Sequence, residues 1–157
     1  MRIRTIEPEE IGVIRERAAR WWGGSYDSDM FSKWYVHHFR DTCLAAEIGG
    51  ELAGFVMGFC SQTEPDSAYI RIVMVSPEHR GGGVGRALYE AFFERVTARG
   101  RSVVRCVTAP HKANSLAFHA KLGFRMEPQA EERDGLPVAV DYDGRGGERV
   151  VLVKRLA

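Results

Sequence analysis

One stretch constrains the fold more than any other: Val75-Ser76-Pro77-Glu78-His79-Arg80-Gly81-Gly82-Gly83-Val84-Gly85-Arg86. Ahead of it, Tyr69 to Val75 is a β-type run. Behind it, Val84, Leu88, Ala91, Phe92 and Val96 recur on one face of a helical pattern. Three consecutive glycines, a fourth at Gly85 and the flanking Arg80 and Arg86 separate the two. Glycine allows a tight turn and close approach of a ligand to the main chain. The first turn of a helix presents unpaired N–H groups and a partial positive charge. Strand, glycine loop and helix start together predict a phosphate site.

Two common phosphate loops do not fit. The Walker form ends in Gly-Lys-Ser or Gly-Lys-Thr, and neither tripeptide occurs in the chain. The dinucleotide form needs G-x-G-x-x-G, but the third glycine position falls on Arg86 or Leu88. The pattern that fits is R-x-x-G-x-G, running from Arg80 to Gly85. It resembles the acyl-CoA pyrophosphate loop of the GCN5-related N-acetyltransferase (GNAT) family. A glycine-rich turn with no ligand is the plain structural reading of the same residues.

The chain has 157 residues, which predicts a single domain over 1–157, and its 45% hydrophobic content suits a packed core. No apolar run approaches the roughly twenty residues that span a membrane, and Met-Arg-Ile-Arg-Thr-Ile is no signal segment. These features predict a cytoplasmic, soluble protein. A net charge of +1 without a long basic run argues against nucleic acid as a partner. Cys43, Cys60 and Cys106 sit singly in apolar runs and read as buried thiols. His37-His38 lacks a third ligand at recognisable spacing, so no metal is expected.

In order, Arg2 to Ile6 alternates as a first strand. Pro8 suits the first turn of a helix carrying Ile11, Ile14, Ala18 and Trp21. Glycines end it at Trp22-Gly23-Gly24-Ser25. A second helix is expected from about Ser28, with Phe31, Trp34, Tyr35 and His38 on one face. The aromatic residues from Trp21 to Tyr35 either pack as core or line a pocket, with Trp21, Trp22 and Tyr26 as candidate substrate contacts. Thr42 to Ile48 and Glu51 to Gln62 are strands joined by a Gly49-Gly50 turn. Gly54 and Gly58 suit close backbone approach. Glu64-Pro65-Asp66-Ser67 is a turn, leading to the third strand of an antiparallel meander. After the loop helix, Arg99-Gly100 is a stop, and the strand from Ser102 to Val107 returns parallel, so the sheet is mixed. Asn114 to Leu122 reads as a helix that Gly123 ends. Gln129 to Gly147 reads as one long loop, and Val150 to Val153 as the closing strand.

A second signature, Asn114-Ser115-Leu116-Ala117-Phe118-His119-Ala120-Lys121-Leu122-Gly123-Phe124, also resembles the GNAT pattern. Order and spacing of the two motifs agree with the family from about Arg2 to Glu127 and again at the final strand. The resemblance implies an α/β (α+β) architecture, the acyl-CoA N-acyltransferase fold: a mixed sheet of about six or seven strands flanked by about four helices. It also implies acetyl-CoA as co-substrate, an amine acceptor, and direct attack of the neutral amine on the thioester. Main-chain N–H groups from Gly81, Gly82, Gly83, Val84, Gly85 and Arg86 would take the pyrophosphate, with Arg80 as added charge. The amides of the pantetheine arm would pair with Val73, Met74 and Val75, and an N–H near Met74 or Val75 would hold the oxyanion. Asn114 is carried over as a CoA contact; a helix cap is its plain alternative. A homodimer is one assembly open to such a chain.

The chain departs from the family twice. His119 stands where many members carry a tyrosine that protonates the departing thiolate. Imidazole can act as a general acid there, or simply pack beside the cofactor. Some relatives use a strand glutamate as base, but Tyr69-Ile70-Arg71-Ile72-Val73-Met74 has no carboxylate. The base is therefore unassigned, with Glu64 and Asp66 just upstream as weak candidates acting through water. A base matters most for a lysine-like amine of pKa about 10.4, which is neutral in well under about 0.1% of molecules at pH 7. Asp141-Tyr142-Asp143-Gly144 either closes over the acceptor, with Tyr142 as a contact, or is a solvated turn. These departures keep a different class open, a non-catalytic acyl-CoA-binding regulatory or interaction domain. A nucleotide-binding enzyme is a distant third.

Overall fold

The computed structural model describes residues 1–23 and 31–157. The main sheet has seven strands in the order β1-β2-β3-β4-β5-β9-β6; β7 and β8 form a separate pair. The chain divides into two compact units: Met1–Cys60 with Ile70–Gly100, and Ser61–Tyr69 with Arg101–Ala157.

In the first unit, β1 (Arg2–Thr5) runs antiparallel to β2 (Cys43–Ile48), from Arg2↔Glu47 to Thr5↔Leu44. Pro8 opens a 3-10 turn, Pro8–Glu10, rather than the helix itself. Glu10 closes that turn on the Glu7 N–H at 2.7 Å and pairs with Arg4 at 2.5 Å, while Arg4 also reaches Glu47 at 2.7 Å. α1 (Ile11–Trp22) buries Ile11, Ile14 and Ala18 and ends where Gly23 turns left-handed at φ 86°. α2 spans Lys33–His38. The start expected near Ser28 lies outside the described residues, and the expected apolar face is corrected: Phe31 is buried but precedes the helix, Tyr35 and Val36 are buried, and Trp34, at 62%, and His38 are exposed. The helix is only six residues long, and its inner face centres on the adjacent pair Tyr35-Val36, which turns Trp34 outward.

β2 and β3 (Glu51–Cys60) are antiparallel, joined at Gly49 and Gly50 with φ 60° and 81°, as a two-residue hairpin turn requires. β4 is Ser67–Val75 and α3 is Val84–Ala98. Val84, Leu88, Phe92 and Val96 of α3 are buried as the spacing predicts; Tyr89 joins them, and Ala91 is half-buried. A Cβ on Gly54 would stand 2.7 Å from the Met74 carbonyl and 3.2 Å from Val84 and Leu88, so the close approach expected at this residue is real.

In the second unit, the first three residues of β4 run parallel to β5 (Val103–Thr108), from Ser67↔Val103 to Tyr69↔Arg105. β9 (Val150–Arg155) pairs antiparallel with β5 along all six residues, and with β6 (Arg125–Met126) on its other side. α4 covers Ala113–Lys121. The expected long loop from Gln129 to Gly147 is corrected: it contains a hairpin, β7 (Glu131–Arg133) and β8 (Leu136–Val138). The turn between them is Asp134-Gly135 with φ 52° and 79°, the turn chemistry that a two-residue hairpin selects.

Candidate functional site

The glycine loop follows β4 as the sequence predicts. The end of β4 is fixed to β3 by the Ser76 N–H on the Ala53 carbonyl at 2.8 Å. Pro77–His79 makes one 3-10 turn, and Gly81 and Gly83 then take φ 80° and 85°. Gly83 is the N-cap of α3 and offers no capping side chain. A Cβ at Gly81 or Gly83 would meet nothing within 4 Å. Packing therefore does not demand these glycines; the left-handed backbone does, and it leaves the space beside the loop free of side chains. Arg80 is exposed, and exposed Arg86 lies 3.6 Å from Glu90. Val73 and Val75 are half-buried, and Met74 is buried.

Midway along β4 the Arg71 guanidinium stacks over the Tyr35 ring at 5.1 Å, and Ile72 packs against the core cluster that includes Tyr35. The Tyr35 hydroxyl is buried and has no hydrogen-bond partner among the described residues. Burial pushes its phenol well above the ordinary value. Sequence reasoning noted the missing carboxylate in this strand but not the Arg71–Tyr35 pair.

In the second unit, His119 is buried on α4. Its Nδ1 lies 2.7 Å from the Ser115 carbonyl, so Nδ1 carries the proton and donates. In the neutral ring Nε2 then holds the lone pair. Burial lowers the His119 pKa, partly offset by this hydrogen bond, and favours that neutral form. The Thr108 hydroxyl at the end of β5 donates to the Ser115 Oγ at 3.0 Å. Phe118 and Phe124 meet the His119 ring edge-on at 5.6 and 5.3 Å. Sequence analysis drew nothing from Ser115; its i, i+4 spacing from His119 is the one local sign of this chain of groups. Asn114 is exposed in the first turn of α4, and Lys112, not Asn114, is the N-cap.

The weak base candidates lie in the turn before β4. Glu64 is paired with Arg105 at 2.9 Å, and Arg105 also lies 3.6 Å from Glu127. Asp66 is exposed, and its carbonyl accepts the Ser102 and Val103 N–H groups. Of the candidate substrate contacts, Trp21 stacks on Phe55 at 6.2 Å and Trp22 is 49% exposed. Tyr26 lies outside the described residues. Tyr142 donates its hydroxyl to that of Tyr69 at 3.1 Å. Among the described residues no group of three His, Cys, Asp or Glu side chains is placed to hold a metal. Nor is any helix among them long and apolar enough to cross a membrane.

A mixed seven-stranded sheet with a glycine loop between strand and helix defines an acyltransferase-type fold. The Acetyltransferase (GNAT) family model matches residues 10–124, and the chain belongs to that family. The L-2,4-diaminobutyric acid acetyltransferase of Nocardia farcinica is 29% identical over 123 residues, 78% of this chain and 64% of that protein. The chain thus spans less than two thirds of that relative's length. Ard1 of Thermoplasma volcanium superposes with a TM-score of 0.80 at 18% identity, over 99% of this chain and 97% of that one. The putative acetyltransferase yncA of Salmonella typhimurium, solved with its cofactor acetyl-CoA, gives 0.70 at 21% identity, over 100% and 94%.

Proposed function

We propose that residues 1–157 form one catalytic domain, an acetyl-CoA-dependent N-acetyltransferase acting on a primary amine of a small molecule or peptide. The observation that carries this reading is the loop from Gly81 to Gly83, whose two left-handed glycines leave open space where side chains would stand. A diphosphate there would meet first-turn N–H groups of α3 and the positive end of a fifteen-residue helix. Arg80 would add charge from outside. The parallel β4–β5 ladder covers three of the nine residues of β4. Val73, Met74 and Val75 can therefore offer main-chain groups to the pantetheine amides, and an N–H at Met74 or Val75 to the oxyanion.

In the transfer itself the amine nitrogen bonds to the acetyl carbon, the carbon–sulfur bond breaks, and the amine gives up a proton. His119 is the side chain we assign to proton handling, with its Nδ1–H fixed on Ser115 and its exchangeable site at Nε2. It donates to the thiolate only after taking up a proton, which burial resists; the neutral ring is first an acceptor. Asn114 is read as a CoA contact, and Trp21, Trp22 and Tyr142 each as a candidate contact of the amine; Tyr26, the fourth candidate, lies outside the described residues. The base stays unassigned, because Glu64 is held by Arg105 and Asp66 has only its turn position in its favour.

The test is thiol release from acetyl-CoA across an amine panel. It starts with L-2,4-diaminobutyrate, the acid named in the relative described above. Release above the no-amine rate is expected for at least one primary amine. CoA binding without release for any amine supports instead a non-catalytic acyl-CoA-binding module. Protection against heat by ATP but not CoA would remove both readings. Assembly as a homodimer belongs to the same proposal, and sedimentation of the full chain measures it.

A further inference from the structure

In the second unit, one face of the sheet sets three arginines around a valine. The ladders place them. Val153 of β9 stands opposite Arg105 on β5 and opposite Arg125 on β6, and Arg155 lies two residues along β9 from Val153. Ladder partners share a face of the sheet, and so do residues two apart on one strand. All four line a cavity of about 520 Å³, which Met126 and Glu127 also border. That volume is in the range of small-molecule sites.

The three guanidinium groups differ in what they already hold. Arg105, half-buried, donates to the Glu64 carboxylate at 2.9 Å and to the Ser67 hydroxyl at 2.9 Å, and Glu127 lies 3.6 Å from its Nε. Glu127 is the one carboxylate among the described residues that line the cavity, and it goes to Arg105. Arg125 and Arg155 are exposed, and among the described residues their side chains form no hydrogen bond or ion pair. Being diagonal neighbours on antiparallel strands, they stand about 7–8 Å apart at the backbone. Half-buried Val153 makes the floor between them.

A guanidinium offers a planar fork that matches a carboxylate with two parallel hydrogen bonds. A single compact anion would have to draw both like charges to one point. Two carboxylates joined by an apolar spacer take one fork each and lay the spacer on Val153. Arg105 and Arg155 also border a second cavity, whose wall includes Glu64 and Asp66. Those carboxylates repel an anion and keep it in the first. We propose that the cavity among β5, β9 and β6 binds a small aliphatic dicarboxylate, one end on Arg125 and the other on Arg155. The site shares no residue with the glycine loop, and its binding does not depend on the acetyltransferase reading.

The test is calorimetry on the full chain with glutarate, butyrate and sulfate, at low ionic strength because salt screens exposed charges. The wild type should bind glutarate about ten-fold or more tighter than either of the others, as one added charge-assisted contact provides. Arg125→Gln and Arg155→Gln should each bring glutarate down to the butyrate level. Arg125→Lys and Arg155→Lys, which keep the charge without the fork, should retain an intermediate preference and carry the test if a glutamine variant fails to fold. CoA affinity should stay at the wild-type value in all four. No glutarate binding, sulfate binding as tightly as glutarate, or wild-type glutarate affinity in either glutamine variant would each overturn the proposal and leave an ordinary basic surface. Loss of CoA binding in the arginine variants would overturn it as well, by giving these residues to the cofactor.

Discussion

The loop after β4 and the segment before β9 present polar groups by opposite means. From Gly81 to Gly83 the chain withholds side chains and presents main-chain N–H groups at a helix start. From Glu131 to Arg149 it presents side chains of both signs around a cavity, steadied by a hairpin and by the Tyr142–Tyr69 hydrogen bond. Main-chain recognition suits a ligand part that never varies, because it depends on backbone shape. Side-chain recognition can be rewritten one residue at a time, which suits the part of a reaction that differs among relatives.

The contrast can be broken most decisively at Gly83. Gly83→Glu brings a carboxylate and a strained backbone to the diphosphate position, where hydrogen bonds to charged groups contribute about 1.5–3 kcal/mol each. CoA affinity should fall by at least about a hundred-fold in calorimetry; an unchanged affinity in a folded variant would remove the loop from the site. Gly54→Ala sharpens the contrast by touching the scaffold rather than the ligand. Its Cβ would meet the Met74 carbonyl at 2.7 Å, and overpacking of this kind costs about 1–3 kcal/mol in denaturant unfolding. Gly135→Ala should cost about 1–2 kcal/mol of left-handed strain at the hairpin tip, read in denaturant unfolding, while leaving the KM for acetyl-CoA near wild type.

The smallest effect is a pH slope. Because burial lowers the folded pKa of His119, the unfolded chain takes up that proton first as pH falls. The stability that neutral His119 provides is complete above the ordinary value of 6.5 and is lost as pH drops through the folded value. His119→Phe should flatten this part of the wild-type stability curve, measured by urea unfolding at stepped pH. An identical slope in both proteins would mean that the ring is not held neutral.

The first of these regions was legible from residues alone because its constraint is compositional: only glycine fits repeated left-handed backbone. The order of strands and helices followed for the same reason, from glycine stops at Gly23, Gly49-Gly50, Gly100 and Gly123, all at positive φ. The second region was less legible. Asp134-Gly135 is a hairpin signal, but β7 and β8 are three residues each and show too little alternation to register. The Arg71–Tyr35 stack joins residues 36 positions apart, and no local pattern announces such a contact. His119 was visible as a departure from the family; its tautomer was not, since that depends on where the Ser115 carbonyl points.

The three sulfhydryls bear directly on how the proposed chemistry is to be followed. Burial pushes Cys43 and Cys106 up to about 12, so neither is appreciably ionised at neutral pH, and both are shielded by the core. Cys60, at the end of β3, is only half-buried and lies within reach of a reagent. A chromogenic disulfide reagent used to count liberated CoA should therefore see a protein background of at most one fast equivalent, which Cys60→Ser would silence. The same position then offers a place for a single fluorescent label.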